Sequence, residues 1–314
     1  MIRTKALRKI FITTLSMFIL LTVFSLPSFQ DENVLRTNFE VENIVGVTTD
    51  NIYLINKNGY LVKNKVFIGD CGIEEKMMHI IKLLYDNNNS QFPSGLSGII
   101  PNSTKINNIN IDEGIVTIDF SKEILKVSAS LEKQMITAIV YSIMEIDNIN
   151  GIIILVDGKR LDKYPNCLEK LDLILDKSIG INNKYLLNSR NNVSKVVIYY
   201  LEDIDSSLYY VPVNKYLNDD REKIKIIIEE LSSNYIYEPN LMSFLNDKIE
   251  LIDYREEGDV LFLNFNDYLY DSSDKILEEV VYSIAYSVFD NYDVNMVLFE
   301  VNDEKVKYVS RSDY

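Results

Sequence analysis

Apolar side chains between residues 50 and 310 recur in two rhythms, and the alternation of those rhythms outlines the fold. Tyr53 to Ile55 and Tyr60 to Ile68 are β-rich runs parted by the turn signal Asn56-Lys57-Asn58-Gly59, which predicts a hairpin. Ile73, Met77, Ile80, Ile81 and Leu84 then follow at helical spacing, with Glu74, Glu75, Lys76, His79 and Lys82 mostly on the other face. Residues 86–102, with Asn87-Asn88-Asn89, Pro93 and Pro101, read as a surface loop. Lys105 to Ile111 and Ile115 to Phe120 are short strands around Asp112-Glu113-Gly114, where glycine supplies the positive φ of a tight turn. A second helix is predicted from Leu131 to Ile146, behind Ser128 and Ser130 as capping residues, and a strand from Ile152 to Val156 closes the unit.

The same order returns 145 residues later. Ile136 to Ile143 is echoed by Val281 to Val288, while Val116, Ile118, Asp119 and Phe120 fall on Leu261, Leu263, Asn264 and Phe265. The stripe Ile224, Ile227, Ile228, Leu231 answers the first helix, and Ile249 to Tyr254 and Val260 to Phe265 surround Glu256-Glu257-Gly258. A helix from Ile276 to Phe289, after Ser273 and Asp274, and a strand from Val297 to Val301 complete the copy. Such a repeat implies tandem duplication. Each copy reads strand, strand, helix, strand, strand, helix, strand. This is an α+β class in two tandem two-layer modules, each a small sheet with two helices on one face. The first module covers residues 42–161 and the second 195–310. Residues 162–194 connect them, with Leu168 to Ile179 weakly helical and Asn188 to Asn192 as linker.

Residues 1–30 differ in kind. Arg3, Lys5, Arg8 and Lys9 precede an apolar stretch from Ile10 to about Phe24, and no acidic residue occurs before Asp31. This is an export signal, cleaved or retained as a signal anchor, so the rest of the chain is expected outside the cytoplasm. The first cysteine is Cys71, so no cysteine near the apolar run can carry a lipid. The whole chain has a formal charge of −15. Without residues 1–30 it holds 28 basic and 47 acidic residues, a net −19. That balance opposes nucleic acid as a partner.

The stretch Ile99 to Ile124, then Ile136 to Gly158, resembles the GerMN domain family of bacterial sporulation and germination proteins. Pro101, the strand Ile115 to Ser121 and the closing Val156-Asp157-Gly158 carry the likeness, although Asn102-Ser103-Thr104 replaces the usual Gly-Thr. The second copy is more divergent, with Asn264-Phe265-Asn266 and Asn302-Asp303 at the matching points. The resemblance spans nearly all of residues 50–310. It implies a fold similar to ring-building motifs and a tandem protein of a spore-forming bacterium. It also implies a place on the outer face of the cytoplasmic membrane, around the forespore in a sporulating cell, and envelope or sporulation-complex proteins as partners.

The residues offer little chemistry. His79 is the one histidine, and no nucleophile motif accompanies it; Gly95-Leu96-Ser97-Gly98 has the wrong spacing. One histidine and the distant Cys71 and Cys167 cannot build an ordinary zinc site, and two unpaired thiols are expected. Glu74-Glu75, Glu229-Glu230, Glu256-Glu257 and Glu278-Glu279 are available to a wall hydrolase, but they do not recur as an equivalent pair in both copies. Asp119 and Asp157 become Asn264 and Asn302, exchanges that keep turn geometry and lose acid–base capacity. Tyr199, Tyr200, Tyr209, Tyr210, Tyr235 and Tyr237 suit half-buried strands, with a sugar- or protein-binding face as the sharper alternative. No catalytic, cofactor or metal residues are therefore assigned. The expected function is a non-enzymatic, membrane-tethered scaffold or adaptor of the spore envelope, touching the membrane through its N-terminal segment only. Binding of peptidoglycan is the alternative.

Overall fold

The computed structural model describes residues 49–86, 92–233, 236, 238–271 and 275–313. The export signal, Asn87-Asn88-Asn89, Tyr235, Tyr237, Ser273 and Asp274 lie outside the described residues. The first module runs β1 (Asp50–Asn56), β2 (Leu61–Val66), α1 (Ile73–Leu83), β3 (Leu96–Ser97), β4 (Ile106–Asp112), β5 (Ile115–Phe120), α2 (Glu132–Ile143), β6 (Gly151–Val156) and β7 (Lys159–Arg160). After β8 (Lys184–Leu186) the second runs β9 (Ser194–Ile204), β10 (Ser207–Leu217), α3 (Lys223–Ser232), β11 (Leu251–Glu257), β12 (Val260–Phe265), α4 (Glu278–Asn291), β13 (Met296–Val301) and β14 (Glu304–Ser310).

The class is α+β in tandem, and each module divides its strands between two small sheets. These are β2-β1-β3 with β4-β5-β6-β7, then β8-β10-β9 with β11-β12-β13-β14. The duplication holds at the level of single pairs. In the parallel strands Val116 faces Ile152, and 145 residues on Leu261 faces Val297. The second helix of each module leaves one sheet and packs on the first strand of the other, α2 on β1 and α4 on β9. α2 is buried almost all round. Met135, Ile136, Ala138, Ile139, Val140 and Ile143 are all fully buried. α1 meets the core along one stripe, Met77, Ile80 and Ile81, while Ile73 in its first turn is 49% exposed instead of joining the stripe. Each such aliphatic side chain taken from water contributes about 1.5–3 kcal/mol.

Both predicted tight turns form, each with two residues between its strands and by a different route. Glu113 and Gly114 are both left-handed in the first module, whereas in the second Gly258 alone has positive φ. Gly98 is needed for another reason. A Cβ there would lie 2.1 Å from the Tyr85 carbonyl oxygen, where the chain crosses the end of α1 and the Leu84 carbonyl accepts from both Ile99 and Ile100.

Three local expectations fail. α2 and α4 begin at Leu131 and Leu277 without a side-chain cap, so Ser128 and Ser130 do not cap α2. Residues 168–179 hold only a 3-10 turn at Lys177–Ile179, because Leu168 adopts a φ of +59° and Leu175 is drawn into an antiparallel bridge with Ile152. The connecting segment also does more than span a gap, since its β8 pairs in parallel with the end of β10. Beyond each predicted closing strand a hairpin partner follows, two residues long in β7 and seven in β14.

Candidate functional site

The motif residues of the two modules are spent on the backbone. The Asp119 carboxylate accepts from the Gly158 amide at 2.9 Å, across the tight turn that joins β6 to β7. The Asn264 side-chain oxygen accepts from the Asp303 amide at 3.1 Å, and its nitrogen donates to the Asp303 carboxylate at 2.8 Å. Both turns are left-handed, with Asp157 and Gly158 answered by Asn302 and Asp303. The Ser121 hydroxyl accepts from the Lys105 amide at 3.0 Å, and Asn266 does the same for Glu250 at 3.3 Å. On the helices, the Ser142 and Ser287 hydroxyls each accept, at 2.9 Å, the buried amide of a tyrosine in the first strand, Tyr53 and Tyr199. An acceptor of the right reach serves at each point, charged or not.

A second cluster joins the modules. Glu202 of β9 is 1% exposed and accepts from the side-chain amides of Asn56 and Asn58 in the β1–β2 turn. Burial raises its carboxyl above the ordinary value, while the two amides pull the other way. Asn182 of the connector accepts from Leu61 N and donates to the Leu61 and Pro212 carbonyls, at 2.7–2.9 Å. It therefore stitches β2 to β10. Glu145, just beyond α2, takes Lys177 at 2.6 Å and Lys63 at 3.6 Å. Burial alone would raise its carboxyl, but the two ammonium groups outweigh that and hold it below its ordinary value. Burial lowers the Lys63 ammonium in turn, against the pull of Glu145 and Asp290. Tyr60 donates to the Pro239 carbonyl at 3.2 Å, and its hydroxyl is pushed up to about 12 by burial, Glu238 and Glu202.

The third cluster belongs to the second module. Lys215 of β10 is 1% exposed, with Nζ 2.6 Å from Glu230 Oε2 and 3.2 Å from Glu238 Oε2, 5.1 Å above the Tyr200 ring. Tyr200 donates to the same Glu230 oxygen at 3.2 Å. In front of this group opens a cavity of about 230 Å³ between the β8–β10 edge and α3. Leu186, Leu217 and Ile226 form its apolar wall, and Arg221, Glu229 and Glu230 stand among its polar lining.

The residues singled out from the sequence do not converge. His79 is half-buried on α1; Cys71 is a half-buried free thiol and Cys167 an exposed one. Glu74-Glu75 and Glu278-Glu279 stand in first turns of helices, where they favour the dipole. Glu257 pairs with Arg255. Glu229-Glu230 borders the cavity beside α3, and the two diverge, Glu229 to Arg221 and Glu230 to Lys215. Among the described residues no group of three or more histidine, cysteine or acidic side chains is arranged to hold a metal ion. Tyr199 and Tyr200 are buried, and Tyr210 packs edge-on against Tyr282 and Tyr286. The sequence reading missed Glu202, Asn182, Lys215 and Glu132. Glu132 is 1% exposed and accepts from the Asn166 and Cys167 amides, which pins the start of the connector. The one usable signal was a lysine in the middle of an apolar strand, Val211 to Leu217.

A family model described as "Germane: Sporulation and spore germination" matches residues 51–162 and again 197–307. Spore germination protein GerM of Bacillus subtilis (strain 168) is 24% identical over 260 residues, covering 80% of this chain and 70% of that protein. The solved tandem GerMN domains of the sporulation protein GerM from Bacillus subtilis match with a TM-score of 0.76 at 22% identity, over 84% of this chain and 96% of that one. The likeness extends across both modules.

Proposed function

The chain belongs to the Germane family of sporulation and spore germination proteins, and on that premise we propose that it is a non-enzymatic scaffold or adaptor of the spore envelope. It is exported, tethered to the cytoplasmic membrane by its N-terminal segment, and acts in sporulation or germination through envelope or sporulation-complex proteins. Its working units are the modules at 42–161 and 195–310. No helix among the described residues is long and apolar enough to cross a membrane; the proposed tether is the apolar stretch Ile10 to Phe24.

The observation that carries this reading is the junction. Glu202 and Asn182 hold the first hairpins of both modules together through hydrogen bonds, and Glu145 ties the first module to the connector through Lys177. A chain that only needed two independent binding heads has no use for such a clamp, whereas a scaffold gains two surfaces at a set distance and angle. The motif positions support the same reading, because Asp119 and Asn264 do one structural task with different charges.

Crosslinking and mass spectrometry in sporulating cells, beside imaging of the engulfing septum in a deletion strain, tests it. Envelope proteins joined to surface residues of both modules are expected, with a defect in sporulation or germination. A normal deletion strain without crosslinked envelope partners would end the proposal.

One feature favours the second reading, a peptidoglycan-binding module. Tyr185 in β8 is 65% exposed and stacks on Tyr216 at 4.7 Å, which leaves a flat aromatic face for a sugar ring. Retention on purified sacculi, lost in Tyr185→Ala, separates the two.

A further inference from the structure

We propose that the cavity beside α3 of the second module is a socket for one alkylammonium group, the chemistry of a lysine side chain on a partner polypeptide. It deepens the scaffold reading and rests on it for the source of that lysine. Size comes first. About 230 Å³ is below the roughly 300–1,000 Å³ of sites that enclose a whole small molecule, and it suits a single unbranched side chain. The lining divides in the matching way. Leu186, Leu217 and Ile226 offer an apolar wall to a methylene stem, while Glu229 and Glu230 stand among the polar residues.

Charge sets the sign. Arg221 lines the same cavity, but its guanidinium is already held by Asp219 at 2.6 Å on one side and Glu229 at 2.5 Å on the other. Lys215 lies behind the wall, 1% exposed, shared between Glu230 and Glu238. Two cations thus face four carboxylates, leaving a net charge of −2 at a cavity in a chain already at −15. An anion would meet repulsion there, and a cation is drawn in. Glu230 is fixed before anything binds, because Lys215 and Tyr200 both donate to its Oε2. Its Oε1 has no hydrogen bond among the described residues, and its side chain is 27% exposed. A carboxylate oriented in advance costs less to engage than a free one.

The probe is Nα-acetyl-lysine methylamide, titrated into the full chain in detergent micelles with methyl NMR of Leu186, Leu217 and Ile226. These methyls are expected to shift and saturate in the millimolar range, with Nα-acetyl-norleucine methylamide, which lacks the ammonium, at least about tenfold weaker. Glu230→Gln should weaken lysine binding about tenfold. Glu229→Gln, at a position 63% exposed and away from Lys215, should weaken it several-fold with the melting temperature unchanged, so loss of binding is not confused with loss of fold. Equal affinity for the two probes, shifts that miss these three methyls, or unchanged binding in both variants would refute the socket. Those outcomes leave the scaffold reading untouched, which stands or falls on the crosslinking above.

Discussion

The two modules close the same sheet edge in different ways. In the second module β13 is paired along its whole length by the seven-residue β14, whose outer side is free of other named strands. In the first, β7 pairs only Leu155 and Val156, and the connector finishes the job when Leu175 exchanges two backbone hydrogen bonds of 2.8 Å with Ile152. A duplicated core therefore does not entail duplicated edges. Where a chain continues into a neighbour, the continuation takes over an edge that would otherwise have needed a strand. The free edge of β14 carries Lys305 and Lys307, the kind of charge that discourages indiscriminate strand pairing.

The interior polar devices separate into those shared by both modules and those peculiar to one, and that division can be broken experimentally. The largest effect is expected from Lys215→Ala, which leaves Glu230 and Glu238 facing each other without their buried cation. A loss of about 3–5 kcal/mol is expected, read by denaturant unfolding, with hydrogen exchange faster in β9, β10 and α3 than in the first module. Next come the shared serines. Ser142→Ala and Ser287→Ala each strip the acceptor from a buried strand amide and should cost about 1–3 kcal/mol, to similar extents. If one is silent, the modules are less alike inside than their hydrogen bonds indicate.

The junction should respond to pH with two signs. The Glu145 carboxyl is held below its ordinary value of 4.5, so its contribution is fully present above that pH and is lost as pH falls through the lower folded value. The Glu202 carboxyl is raised above 4.5, so ionising it costs stability, and that cost is relieved as pH falls towards 4.5. Stability attributable to these two groups should peak near pH 4.5. Glu145→Gln should flatten the acid side of a stability profile, and Glu202→Gln the other. The smallest effect is at the turn. Asp119→Asn should stay within about 0.5 kcal/mol of the parent because asparagine already does this work at position 264, while Asp119→Ala should cost about 1 kcal/mol in the same unfolding measurement.

Most elements were legible because their signals are local. The period of two in Ile115 to Phe120, the stripe Ile224, Ile227, Ile228, Leu231, and glycines 114 and 258 each report on neighbours within one turn of chain. The offset of 145 residues made the duplication visible as well, since it needs only one copy compared with the other. The cap of α2 was misjudged for the opposite reason. α2 starts behind Leu131 with no side-chain cap from Ser128 or Ser130, because most of a helix's stability comes from packing of its apolar face and not from its ends.

Amino-acid order alone thus settled the element types, the tandem α+β plan and the turns that need left-handed residues, because propensity and periodicity act over a few residues. Tertiary structure alone decided that Glu202 would meet Asn56 across 146 positions, that the connector would supply β8, and that Lys215 would be buried behind a cavity. A contact between distant residues leaves no rhythm in the chain. Its energy exists only once the apolar faces have been buried and water has been removed from around the charges.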